Sequence, residues 1–317
     1  MKKLCLAIGL LAVAFAAEAA DKKIVFIAGR PSHGPLSHEH RAGCLLLAKS
    51  LAGVPGVVTE VHTNGWVSDE KVFEGAAAVV VYSDGGGGHP FLAGNRLQTI
   101  GALAAKGVGI GAIHYAVEPT TAKGNKEFQD WIGGCFETFW SVNPHWDGDF
   151  TSLPTHEVTT GVKPFKTNDE WYYHMRFRPD MKDVTPILTA VPPIQTVRWK
   201  AGDKPSSHGG NEAVYQDAIV KRNPQHVMWV TTRPDGGRGF GFTGGHNHLN
   251  WGNENQRKLV GNAILWIAKA AIPAGGVVSQ VTQEDLMANL DPKQGAKPKP
   301  TPPTNKPAEK PAEKPKP

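Results

Sequence analysis

Four times along the chain an apolar run stops and hands over to a small-residue loop that carries a histidine. Ile24 to Ala28 leads into Gly29-Arg30-Pro31-Ser32-His33, and Ala78 to Tyr82 into Asp84-Gly85-Gly86-Gly87-Gly88-His89. Val108 to Ile113 leads into His114, and Gly239 to Thr243 into Gly244-Gly245-His246. The runs are short and do not alternate apolar with polar, the pattern of parallel strands covered on both faces. Helical spacing fills the gaps: Leu97, Ile100, Leu103 and Ala104 share one face of a helix near 95–105, and a second helix is expected near 39–51, ahead of a strand over 57–62. Near the end, Pro234-Asp235-Gly236-Gly237 turns strand 226–231 into strand 238–243. Asn253 caps a helix over 254–270 whose buried face carries Leu259, Ala263, Trp266 and Ile267.

The stretch from Trp131 to Gln225 breaks this rhythm. It is rich in Pro, Trp and His, and predicts antiparallel strands and long loops, with strands over 171–177 and 187–191. The pattern as a whole predicts an α/β fold with a mostly parallel sheet and an elaborated middle region of antiparallel strands and loops. Ligands of such sheets bind outside the carboxyl ends of the strands. His33, His89, His114 and His246 are therefore expected in one cleft, although any one of them alone is more often a loop or capping residue. His38, His40, His62 and His226 read as surface or structural.

The ends change the picture of a 317-residue chain with formal charge +5. Lys2-Lys3, the apolar stretch from Leu4 to Ala17 and the small residues around Ala19 have the form of a secretory signal over residues 1–20. That predicts a secreted or periplasmic protein with no transmembrane segment. The leader carries +1 and Lys293 to Pro317 carries +5, which leaves −1 for the body and argues against nucleic acid as a partner. Residues 291–317, built of Lys-Pro and Pro-Ala-Glu-Lys-Pro repeats, are expected to form a disordered tail beyond a single domain over 21–290. Cys44 and Cys135 are too few for a disulfide framework, and either one bridge or two buried thiols fits. No nucleotide cofactor is expected, and the pattern carries no signal for an oligomeric state.

Gly109-Ile-Gly-Ala-Ile-His114-Tyr-Ala116 has the small-x-His-x-small form of a nucleophile elbow. With histidine at the turn, acyl-enzyme chemistry lacks its Ser, Cys or Thr, and a general base or metal ligand remains. His33, His114 and His246 can hold a divalent metal such as zinc with an open position. Metal-dependent hydrolysis of an amide or ester is compatible with these residues but has no motif of its own.

The segments Asp84-Gly-Gly-Gly-Gly-His89-Pro90, Ile113-His-Tyr-Ala-Val-Glu118, Asn143-Pro-His-Trp-Asp147, Asp169-Glu-Trp-Tyr-Tyr-His174 and Gly239-Phe-Gly-Phe-Thr-Gly-Gly-His246 with Asn250-Trp-Gly252 resemble, in order from about Lys23 to Val278, the trehalose-utilisation (ThuA-like) family. That family resembles class I glutamine amidotransferases in fold, which implies a flavodoxin-like three-layer sandwich, but lacks their cysteine nucleophile. The resemblance implies a sugar as small-molecule partner and a role in catabolism of trehalose or related glucosides through 3-keto sugars. A 3-keto group acidifies the C2 proton, so a lyase or isomerase needs a base and an electrophile at the ketone oxygen. His114, His246, Glu170 and Asp147 are the expected catalytic residues. Asp84, His89, Tyr115, His145, Trp146, Tyr172 and His248 are expected to bind substrate. The competing reading is a non-catalytic sugar-binding module on the same scaffold.

Overall fold

The computed structural model describes residues 21–293. Seven strands form the main sheet in the order β2-β1-β3-β4-β11-β10-β9. β1 (Lys22–Ala28) pairs in parallel with both β2 (Val57–His62) and β3 (Ala76–Tyr82), and β3 with β4 (Gly109–Ile113). β4 in turn pairs in parallel with β11 (Arg238–Phe242), which runs antiparallel to β10 (Gln225–Thr232); β10 is antiparallel to β9 (Val184–Ala190). The first five positions follow the flavodoxin order.

Both faces are covered. Ile24, Phe26 and Ala28 face one core with α1 (His40–Leu51), and Val25 and Ile27 face the other with α2 (Arg96–Ala105) and α3 (Asn125–Ile132). This is why the strands read as continuous apolar runs: every residue from Ala78 to Tyr82 is fully buried. A short helix, α4 (Glu212–Val214), lies in the middle region, and α5 (Glu254–Ile267) packs on the α1 side. The Asn253 side chain accepts from the backbone N–H groups of Asn255 and Gln256, the expected cap. Cys44 and Cys135 are both free thiols, one in each core layer.

The middle region departs from expectation in detail. Its ladders are β5 (Gly134–Cys135) with β8 (Arg176–Phe177), and β6 (Trp146–Phe150) with β7 (Phe165–Asp169). The expected strand over 171–177 shrinks to its last two residues. Trp171 and Tyr173 enter one core and Tyr172 the other, while the Trp171 and Tyr172 carbonyls accept from Trp146 Nε1 and Thr243 Oγ1. Side chains have taken the bonds that a neighbouring strand would have made.

Past α6 (Gln283–Met287), the chain stays attached beyond the boundary expected at Asp291. The Asp291 N–H donates to Glu39 Oε2 at 2.7 Å, and the buried Lys293 ammonium lies 3.2 Å from Glu39 Oε1. The expected secretory leader and the rest of the tail fall outside the described residues. Among those residues, no helix is long and apolar enough to cross a membrane.

Candidate metal centre

β4 and β11 are hydrogen-bonded neighbours, so the residues just past their ends meet. His114 follows Ile113 directly, with φ at 57°, and its small neighbours Ala112 and Ala116 leave room for the turn. The left-handed backbone drives the imidazole inward rather than along the strand. His246 sits in a loop pinned by a buried carboxylate: Asp169 accepts from the Gly245 N–H at 2.7 Å, the Asn247 N–H at 3.1 Å and Asn250 Nδ2 at 3.0 Å. The same carboxylate accepts from the N–H of Glu170 at 2.9 Å, which fixes the residue after β7. His38, in the loop after β1, has φ at 51° and is drawn in by its N–H, which donates to His246 O at 3.1 Å.

Four ligand atoms come together from these loops: one each from His38, His114, Glu170 and His246, all within 4.8 Å of one another. His38 Nε2 is 3.1 Å from His114 Nε2 and 3.0 Å from His246 Nδ1. Glu170 Oε2 is 2.9 Å from His246 Nδ1 and 3.6 Å from His114 Nε2. Tetrahedral zinc with bonds of about 2.0–2.1 Å sets its ligand atoms roughly 3.3 Å apart, inside this range.

Proton accounting points the same way. His114 Nδ1 is 2.8 Å from Thr243 O, a carbonyl that can only accept, so Nδ1 carries the proton and Nε2 the lone pair. His38 Nδ1 donates to Asp84 Oδ1 at 2.8 Å, which leaves its Nε2 with a lone pair as well. Two lone pairs thus face each other beside a carboxylate oxygen. A single proton on His246 Nδ1 cannot satisfy all three, whereas a divalent cation can. The outer partners Asp84 and Thr243 orient the rings as partners of metal-bound histidines do.

Burial pushes the His114 pKa well below the ordinary histidine value, and the neighbouring His38 and His246 add to the effect. Burial likewise lowers His38, with the Asp84 hydrogen bond opposing. Both rings are therefore neutral and ready to ligate. Burial alone would raise Asp84, but the hydrogen bond from His38, with His40 and Ser32 nearby, holds it down at about 2. Asp169 is raised by burial despite its ring of donors.

Of the expected residues, His114, His246 and Glu170 meet at this centre. His33 does not supply the third imidazole as expected; His38 does. His33 stacks on His38 at 3.6 Å between ring centroids, with 42% of its side chain exposed. His89 does not enter the cleft: it is buried, with Nε2 donating to Ala116 O at 3.0 Å and Nδ1 accepting from the Phe91 N–H at 3.1 Å. His248 is also buried, with Nε2 donating to Leu286 O at 2.9 Å.

Tyr172 donates to Glu170 Oε2 at 3.3 Å, and Tyr115 lies near His38, ring centroids 6.1 Å apart. His145 is exposed and sets its ring edge-on to His246 at 4.7 Å. Asp147 pairs with Lys166 at 3.4 Å and accepts from Asn168 at 2.8 Å, while Trp146 is 3% exposed, its Nε1 donating to Trp171 O. A cavity of about 800 Å³, lined by Glu170, Asn143, His145, Asp147 and Arg198 among others, opens beside the centre.

The sequence reading missed His38, Asp169 and Asn143, whose Nδ2 donates to Glu170 Oε1 at 3.1 Å. The one available signal for His38 was the crowding of His33, His38 and His40 between the end of β1 and the first residue of α1.

Fold and centre together define a flavodoxin-like α/β protein with a histidine–carboxylate cluster at the carboxyl edge of its sheet. The chain belongs to the ThuA family, described as trehalose utilisation, whose pattern matches residues 37–267. Among solved structures it is similar to a ThuA-like protein from Bacteroides uniformis, at 14% identity and a TM-score of 0.54 over 81% of this chain and 95% of that one. It is also similar to a ThuA-like protein from Parabacteroides merdae, at 16% identity and a TM-score of 0.49 over 83% and 94%. A third likeness is to PurLQS from Thermotoga maritima, at 12% identity and a TM-score of 0.39 over 78% and 99%. No curated protein matches the sequence.

Proposed function

We propose that this protein is an exported enzyme of carbohydrate catabolism that acts on a glycoside oxidised to a ketone at C3, with a divalent metal held by His38, His114, His246 and Glu170. The observation that carries the reading is the convergence of these four ligand atoms, two of them lone pairs with no proton between them. A divalent ion bound there supplies a Lewis acid for a ketone oxygen. Family membership supports a sugar as the ligand.

The chain's own groups divide the remaining work. His145, open to the cavity and against His246, is assigned as the base that takes a C2 proton, because Asp147 is tied to Lys166 and Asn168 and is less free to do so. Asn143 and Tyr172 hold Glu170 in place. A non-catalytic sugar-binding module would call for open tryptophan faces in the cavity; Trp146 is among the lining residues but only 3% exposed, and Trp171 is buried in the core.

The test is to incubate the purified protein with trehalose, 3-ketotrehalose and other 3-ketoglucosides, with and without chelator, and to follow products by NMR. Chelator-sensitive conversion of a keto sugar is expected. Tight binding of sugar with unchanged spectra would replace the enzyme by the module.

A further inference from the structure

A second group of donors sits behind the first, around Asp84 Oδ1. His38 Nδ1 is 2.8 Å from that oxygen, His33 Nδ1 3.7 Å and His40 Nε2 3.7 Å, and Ser32 Oγ donates to it at 2.9 Å. Ligand atoms of His33, His38 and Asp84 all lie within 4.8 Å of one another.

His40 supplies the independent observation. It is fully buried, and its Nδ1–H donates to Arg30 O at 3.1 Å, which leaves Nε2 with a lone pair. Among the described residues that nitrogen has no hydrogen-bond partner, although it faces the carboxylate. A lone pair buried against an anion is unfavourable unless a positive charge lies between them. The room for the His40 ring comes from Gly29, where a Cβ would stand 2.8 Å from His40 Nδ1.

We propose that a second divalent cation binds here, held by Asp84 Oδ1, His40 Nε2 and His33, with His38 as the ring shared between the two centres. For His38 to ligate on both sides, its Nδ1 proton must leave to solvent, so filling the second centre releases one proton per chain. Two zinc–nitrogen bonds plus the ring would separate the ions by about 6 Å. This is wider than the roughly 3.5–4 Å of two-metal hydrolytic sites, so the second ion would act by fixing His38 rather than by touching substrate. The inference rests on the metal reading of the first centre only through that shared ring.

The experiment is a zinc titration of chelator-stripped protein by calorimetry in two buffers of different ionisation enthalpy, with elemental analysis of the dialysed product. Two equivalents per chain are expected, the second accompanied by about one released proton. His40→Asn should keep one equivalent, and His114→Ala should lose the first and keep the second. His33→Ala, a change at an exposed side chain, should weaken the second equivalent at least tenfold and so decides the matter if His40→Asn does not fold.

A single equivalent that His114→Ala removes and His33→Ala leaves untouched would overturn the second centre and leave the first standing. Two equivalents unaffected by either His40→Asn or His33→Ala would overturn it as well. No retained zinc at all would sink both centres.

Discussion

Asp169 accepts the backbone N–H of Gly245 at 2.7 Å across a fully buried contact, and in doing so fixes the loop that presents His246. Because the same carboxylate also holds the N–H of Glu170, it positions two of the four cluster residues at once. Asp169→Asn places an amide NH2 against donors that need an acceptor. We expect metal affinity to fall about 10- to 100-fold, as it does when outer partners of metal ligands are changed. Metal competition against a chromophoric chelator would measure this, and an unchanged affinity would show that the loop holds its shape without the carboxylate.

His114→Ala should abolish turnover with the fold intact, since the left-handed turn depends on small neighbours and not on the ring. Loss of a base alone costs roughly 100- to 10,000-fold. Loss of a ligand also removes bound metal, so elemental analysis of the variant separates the roles. Full activity on the true substrate would reduce His114 to a plug at the end of β4.

His89 makes stability depend on pH. Burial lowers its pKa to about 4, below the 6.5 of an exposed histidine, so on acidification the unfolded chain takes up the proton first. Its contribution is complete above pH 6.5 and is lost as the pH falls towards 4, by up to about 3 kcal/mol. His89→Gln keeps a donor and an acceptor without titrating. Urea unfolding between pH 4 and 7 should give a shallower slope for the variant than for the parent; equal slopes would place the loss at other buried histidines.

Lys293→Ala should destabilise the protein by about 3–5 kcal/mol, because it leaves Glu39 as a buried charge without its cation. A shift in the urea midpoint at constant slope would report this. A loss under 1 kcal/mol would mean that Glu39 is satisfied by the N–H groups of Leu36 and Asp291 alone.

The sheet was legible because covered parallel strands advertise themselves as apolar runs, and His114 and His246 because they follow two of those runs directly. Glu170 was legible within its Asp-Glu-Trp-Tyr motif, but its neighbour Asp169 was not singled out, since nothing local says which of two adjacent acids turns towards the 245–250 loop. His38 was illegible for a similar reason. Its direction is set by its own N–H on His246 O and by the left-handed backbone at Leu36 and His38, all of it decided by contacts far along the chain. His89 misled because it too follows a strand, and only the folded loop shows its ring spent on two backbone groups.

β4 and β11 lie side by side, yet the whole middle region of the chain runs between them. The sheet contributes His114, His246 and His38 from loops at its edge, while the far wall of the cavity, with His145 and Arg198, belongs to the inserted stretch. The sheet edge thereby carries three residues of the four-membered cluster, and the inserted stretch carries Glu170 together with the cavity wall. Changes in the insertion away from His145 and Glu170 can reshape what enters without moving the three sheet-edge imidazoles, so an altered preference for substrate need not pass through an inactive protein.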